Sequence, residues 1–243
     1  MFDLSGKRAL VTGSTQGIGK AIAAALRAHG ADVCIHCSRD EKKAAAVAAS
    51  LGCERWTVGD LDDPSCANRL LETVGPMDIV VANASVQIRK PWDAITPEEF
   101  DLQIRVNFQS TLALMQAFIP PMQKNHWGRF LAIGSVQQYR PHSHMAVYAA
   151  SKCAIQSLVQ NIARQVAADG VTVNSLLPGV ILTPRNDEAL SDPVYEAAVL
   201  RSIPAGYAGD PADCAAAALL LCSPEGRYIT GTALTVDGGM SLH

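Results

Sequence analysis

Thr12-Gly13-Ser14-Thr15-Gln16-Gly17-Ile18-Gly19 lies between an apolar run, Lys7 to Thr12, and a segment striped with Ala, Ile and Leu from Gly17 to His29. A strand that enters a glycine turn and leaves as a helix is the context in which such a turn is meaningful. Gly13 lets the chain turn tightly, Gly17 lets backbone approach a pyrophosphate, and Gly19 lets the helix pack closely on the sheet. The helix N-terminus offers free N–H groups and partial positive charge to phosphates. Ser14, Thr15, Gln16 and Ile18 lie along the same turn. The spacing differs from G-x-G-x-x-G, so the flanking strand and helix carry the reading of a nucleotide site.

Outward from this turn the chain alternates strands and helices. Strands are expected at Asp32–Cys37, Trp56–Val58, Met77–Val81, Gly128–Ile133, Val171–Leu176 and Ala233–Val236. Helices are expected at Asp40–Leu51, Pro64–Thr73, Pro97 through Phe118, Tyr148–Ala168 and Pro211–Leu221. Near-continuous apolar strands alternating with helices predict an α/β fold whose mainly parallel sheet, of about seven strands, is flanked by helices. No linker divides residues 1–243, which read as a single domain. The stretch 178–209 contains Pro184, Pro193 and Pro204 and reads as an irregular excursion that forms a substrate loop.

The formal charge of -3 argues against nucleic acid as a partner. No apolar run reaches the roughly 18 residues of a membrane span, and Met1 to Gly6 does not resemble a signal peptide. Seven cysteines, an odd count, suit a reducing, cytoplasmic compartment. Cys34-Ile35-His36-Cys37 lies in a strand, where positions 34 and 37 point to opposite faces, and no second pair follows at zinc spacing. No metal site is expected.

The second strand bears on the choice of dinucleotide. A carboxylate at its end would take a ribose 2′-OH, but Ser38 and Arg39 stand there, with Asp32 and Asp40 poorly placed. Arg39 can bond a 2′-phosphate, which favours NADP(H) over NAD(H). Gln16 adds no second positive charge. Asp60-Leu61 and Asn83-Ala84-Ser85 follow the third and fourth strands at crevice positions; either could instead be a strand terminator.

Tyr148 and Lys152 stand one helical turn apart, with Ser135 upstream at the end of a strand. A phenol is a poor base at neutral pH, and a neighbouring ammonium favours its charged form. Tyr148 can then exchange a proton with a hydroxyl or carbonyl, and Ser135 can hydrogen-bond the same oxygen. Asn107, a polar amide in an apolar helix, needs a partner. It reads as a helix-kinking amide bound to a backbone carbonyl, which could still organise a water beside Lys152.

With these residues in place the chain resembles the classical short-chain dehydrogenases/reductases over essentially its whole length. The glycine turn matches that family's cofactor turn, and Asn107, Ser135, Tyr148 and Lys152 match its catalytic tetrad. Asp60, Pro178-Gly179 and Thr183 match positions that meet the adenine, the nicotinamide end and the carboxamide; Val106 and Ile181 join the cofactor contacts. The resemblance implies a doubly wound Rossmann domain, an NAD(P) cofactor, a small-molecule alcohol or ketone as substrate, and a homotetramer built on the two long helices. Leu112, Leu114, Met115, Phe118, Leu158, Val159 and Ile162 spread over more than one face of those helices. Ser85 departs from the family's Asn-Ala-Gly and is expected to trim the substrate pocket. Arg39 falls one place later than the family's commonest NADP arginine.

Ser85 to Trp92, Val136 to Val147 and the excursion should close the pocket. They contribute Gln87, Arg89, Gln137, Gln138, Tyr139, Arg140, His142 and His144. This polar set suits a sugar, polyol or sugar acid better than a steroid, with Gln137 the preferred substrate contact. His142 and His144 read as solvent-facing loop residues. A 3-oxoacyl thioester reductase is the alternative; it would want a basic patch, and Arg129, Arg140 and Arg164 are not clustered in sequence. A non-catalytic nucleotide sensor has no evident need for Tyr148 and Lys152. A serine hydrolase at Gly134-Ser135-Val136-Gln137 lacks the elbow glycine.

Overall fold

The apolar strands of the sequence assemble in the computed structural model, which describes residues 1–242, into one sheet of seven parallel strands. They are β1 (Arg8–Val11), β2 (Asp32–Cys37), β3 (Arg55–Val58), β4 (Ile79–Ala82), β5 (Gly128–Ile133), β6 (Val171–Pro178) and β7 (Ala233–Val236). Their order is β3-β2-β1-β4-β5-β6-β7. The reversal between β1 and β4 opens a crevice at the strands' C-terminal ends, where an open α/β sheet binds ligands.

Alternating side chains feed two cores. Leu10, Val80, Phe130 and Ala132 face α3 (Cys66–Val74), α5 (Ser110–Lys124) and α6 (Ala146–Val166). Val11, Ile35, Val81, Leu131 and Ile133 face α1 (Gly17–Ala28) and α9 (Pro211–Cys222). Full burial of each large apolar side chain contributes about 1.5–3 kcal/mol. Lying between two helical layers, the strands are apolar on both faces.

Two expectations are corrected. The long helix does not run unbroken from Pro97 to Phe118. It is α4 (Pro97–Gln103), a π-helical segment at Ile104–Gln109, then α5, which continues through Pro120-Pro121 to Lys124. At the start of α5, Ser110 Oγ and Thr111 Oγ1 donate to the π-segment carbonyls of Val106 and Asn107 at 2.6 and 2.7 Å. The excursion is not irregular either. It contains α7 (Pro184–Leu190) and α8 (Pro193–Arg201). Each opens on a proline, whose missing N–H costs nothing in the first turn, and Asp192 caps α8 by accepting from Val194 N at 2.9 Å. The remaining helix, α2 (Glu41–Ser50), is capped by Asp40 in the same way.

No described helix is long and apolar enough to cross a membrane. All seven cysteines are free, and no group of three or more described His, Cys, Asp or Glu side chains could hold a metal.

Candidate active site

The glycine turn is held from both sides of the β1/β4 crevice. Thr12 Oγ1 accepts from the Asn83 and Ala84 amides at 3.0 and 3.1 Å. Asn83 Nδ2 donates back to the carbonyls of Thr12 and Gly13 at 2.8 and 3.2 Å. Gly13 and Gly17 adopt φ of 63° and 53°, which side-chain-bearing residues rarely reach. A Cβ at Gly19 would lie 2.4 Å from Asn83 Nδ2 and 2.7 Å from Gly13 O. Close approach to Asn83 and the turn, rather than to the sheet, is therefore what excludes a side chain at position 19.

β2 supplies the third support. His36, fully buried, accepts from the Gly13 amide at Nδ1 (3.1 Å), and its own amide donates to Ser14 Oγ at 2.9 Å. Burial drives the His36 imidazole down to about 4, so it stays neutral and keeps this acceptor. Ser14 thus differs from its expected role. Its side chain is buried under the turn, off the cavity wall, while Gly13, Thr15, Gln16, Gly17, Ile18 and Gly19 line it.

The cavity, about 820 Å³, runs from β2 across the crevice to α6 and the excursion. Ser38, Arg39, Asp60, Leu61, Asn83, Ala84, Ser85, Val106, Pro178, Gly179, Ile181 and Thr183 line it, together with Ser135, Gln137, Tyr148 and Lys152. A dinucleotide fits this wall. The α1 N-terminus has no side-chain cap and no acidic residue in its first turn, and the glycines let backbone reach the groove.

At the β2 end Arg39 pairs with Asp60. Partial burial works to raise the Asp60 carboxyl, but the Asp62 amide and the Arg39 guanidinium together hold it below its ordinary value. A second cation went unread in the sequence. Lys43, in the first turn of α2, also lines the cavity and donates to Gln16 Oε1 at 2.7 Å. Asp40 as a helix cap was the available signal, because it turns Lys43 back toward the glycine loop.

At the other end Tyr148 and Lys152 occupy the first two turns of α6, both buried. Lys152 Nζ donates to Ile133 O at 2.7 Å and lies 5.6 Å from the Tyr148 ring centre. Burial leaves the phenol above its ordinary value, and the charge of Arg185 and the polar side chains of Ser135 and Arg185 offset only part of that rise. Burial and the Arg185 charge lower the Lys152 ammonium to about 7. A phenol, a serine hydroxyl and a buried amine on one wall can exchange a proton with an oxygen placed among them. Asn107 does not reach this wall. Its amide donates to Val86 O and Ser151 Oγ at 2.9 and 3.1 Å and accepts from Val86 N at 2.8 Å, tying the segment after β4 to α6. The partner that the buried amide needs is present, and Asn107 lies in the π-helical segment that interrupts the helix.

Ser85 does not simply trim the pocket. Its Oγ and carbonyl accept from Arg185 of α7 at 3.0 and 2.8 Å. Arg129, in contrast, is buried at the far end of β5, donating to Ser223 O, and Arg140 donates to the Ser202 and Met240 carbonyls, so neither builds a basic patch with Arg164. His142 lines the cavity and accepts from the His144 amide.

A family model described as enoyl-(acyl carrier protein) reductase matches residues 13–241. The 3beta-hydroxysteroid dehydrogenase 1 of Eggerthella lenta is 36% identical over 99% of this chain and 96% of its own length. Two solved structures superpose closely. A 3-oxoacyl (acyl-carrier-protein) reductase of Agrobacterium tumefaciens with NADP bound is 37% identical, with TM-score 0.93 over 98% of this chain and 95% of that one. A gluconate 5-dehydrogenase of Burkholderia cenocepacia in complex with NADP and tartrate is 32% identical, with TM-score 0.93 over 100% and 98%. The chain belongs to the classical short-chain dehydrogenase/reductase family. It is an NAD(P)-dependent oxidoreductase that acts on a CH–OH or carbonyl group of a small molecule.

Proposed function

We propose that the protein reduces the ketone of a 3-oxoacyl thioester with NADPH. The observation that carries the reaction is the single cavity in which Tyr148, Ser135 and Lys152 face the glycine turn. Tyr148 donates the proton to the ketone oxygen, and Ser135 hydrogen-bonds that oxygen. Lys152 binds the ribose hydroxyls and relays the proton outward, while Asn107 braces the wall. The dihydronicotinamide, when bound, supplies the hydride. Asp60 and Leu61 meet the adenine, Arg39 and Lys43 the 2′-phosphate, Asn83 to Ser85, Val106 and Pro178 to Thr183 the nicotinamide half. Residues 178–209 form the flap over the substrate.

For the thioester, the identity of 37% to a carrier-protein reductase outweighs 32% to a gluconate 5-dehydrogenase. A sugar acid is the second reading, favoured by Gln137 Oε1, a buried acceptor on the cavity wall that suits a substrate hydroxyl. The test follows absorbance at 340 nm with 3-oxoacyl thioesters, sugar acids, polyols and hydroxysteroids, using NADP(H) and NAD(H) in parallel. Thioester turnover faster with NADPH is expected. Turnover confined to sugar acids or hydroxysteroids overturns the substrate, and preference for NADH overturns the role of Arg39 and Lys43.

The assembly we propose is a homotetramer, supported by Leu112, Leu158 and Ile162, which are only partly buried on α5 and α6. The free cysteines suit the cytoplasm. Light scattering should return about four times the 25.7 kDa chain mass, and the mass of one chain would contradict the tetramer.

A further inference from the structure

Arg185 and Ser85 lie 100 residues apart in sequence, yet two of the guanidinium's bonds end on Ser85, at Oγ (3.0 Å) and at the carbonyl (2.8 Å). Both residues line the cavity that holds Tyr148 and Ser135. A guanidinium carries five N–H donors in a rigid fork, so this clamp fixes its plane and leaves donors over. No described carboxylate pairs with it. The phenol of Tyr148 already responds to its charge. A cation fixed on this wall, with no carboxylate partner among the described residues, calls for a substrate oxygen close to the reacting carbon.

We propose that Arg185, positioned by Ser85, determines substrate choice by binding a carbonyl or carboxylate oxygen at C1 of a substrate whose ketone lies at C3. This rests on the ketone-reductase reading above and deepens it. In a 3-oxo compound one methylene separates C1, which bears that oxygen, from the reacting C3, so one guanidinium can hold the oxygen while Tyr148 reaches the ketone. A thioester carbonyl and a free carboxylate share this chemistry.

The test compares kcat/KM with NADPH for an acetoacetyl thioester, acetoacetate and butanone, which lacks the C1 oxygen, in wild type, Arg185→Met, Arg185→Lys and Ser85→Gly. The readout is the ratio of each 3-oxo compound to butanone, in which any general effect on Tyr148 cancels. Arg185→Met should collapse that ratio by about 10- to 100-fold, the worth of a hydrogen bond to a charged group. Arg185→Lys should restore part of it by keeping the charge without the fork. Ser85→Gly, which removes only the side-chain half of the clamp, should lower it by about threefold to tenfold. NADPH affinity from fluorescence titration reports whether each variant retains its cofactor groove. A greater loss for acetoacetate than for the thioester identifies a carboxylate as the preferred ligand; the reverse identifies the thioester carbonyl. A ratio unchanged in Arg185→Met overturns the inference. Wild type that oxidises gluconate with NADP+ but reduces no 3-oxo compound with NADPH overturns the parent reading instead. The Arg185 assignment, with its C1-to-C3 spacing, is then overturned too if Arg185→Met falls equally on gluconate and a neutral polyol.

Discussion

Tyr148→Phe is expected to lower kcat by about a thousandfold with the preferred substrate, within the range that a positioned proton donor contributes. The ring is buried in the first turn of α6, so phenylalanine preserves its packing while removing the hydroxyl. Nothing nearby replaces that group. Ser135 is a far weaker acid and accepts from Gln137 N at 3.2 Å, and Lys152 is anchored by a hydrogen bond to Ile133 O at 2.7 Å. Circular dichroism and NADPH affinity should stay close to wild type, because the glycine turn is untouched. A variant that keeps most of its turnover would remove Tyr148 from the chemistry and revive the readings in which the domain only binds a nucleotide or hydrolyses through Ser135.

Gly19→Ala should weaken both the fold and the cofactor groove. The added Cβ would fall 2.4 Å from Asn83 Nδ2 and 2.7 Å from Gly13 O, closer than real Cβ atoms approach. Asn83 must then release Thr12 O or Gly13 O, unlocking the turn from the segment after β4. Overpacking of this kind costs about 1–3 kcal/mol. Thermal denaturation should show Tm lower by roughly 2–4 °C for each kcal/mol lost. NADPH affinity should fall by about tenfold or more, since the helix N-terminus can no longer present its amides in the same geometry. Unchanged Tm and affinity together would show that the clash relaxes without cost and that Asn83 does not hold the turn.

The layered fold and half of the site were legible because neighbours in sequence encode them. Apolar runs bounded by turn residues mark the strands, and their alternation with helices dictates a sheet covered on both faces. Tyr148 and Lys152 must share a helix face at a spacing of four. Gly13, Gly17 and Gly19 sit where a strand becomes a helix. The excursion misled for a local reason. Pro184 and Pro193 were read as interruptions, whereas a proline in a helix's first turn opens it.

By itself, then, the sequence determined the alternating architecture, the nucleotide turn and the phenol–amine pair, each a property of residues within a few turns of one another. Only the tertiary structure decided how separate loops meet. Lys43 reaches Gln16 across 27 residues, Asn107 reaches Ser151 across 44, and Arg185 reaches Ser85 across 100. These meetings follow from strand order, which sets the ends of β2, β1, β4, β5 and β6 side by side. No periodicity along the chain records which side chains a crossover brings into contact, and those contacts shape the substrate end of the cavity.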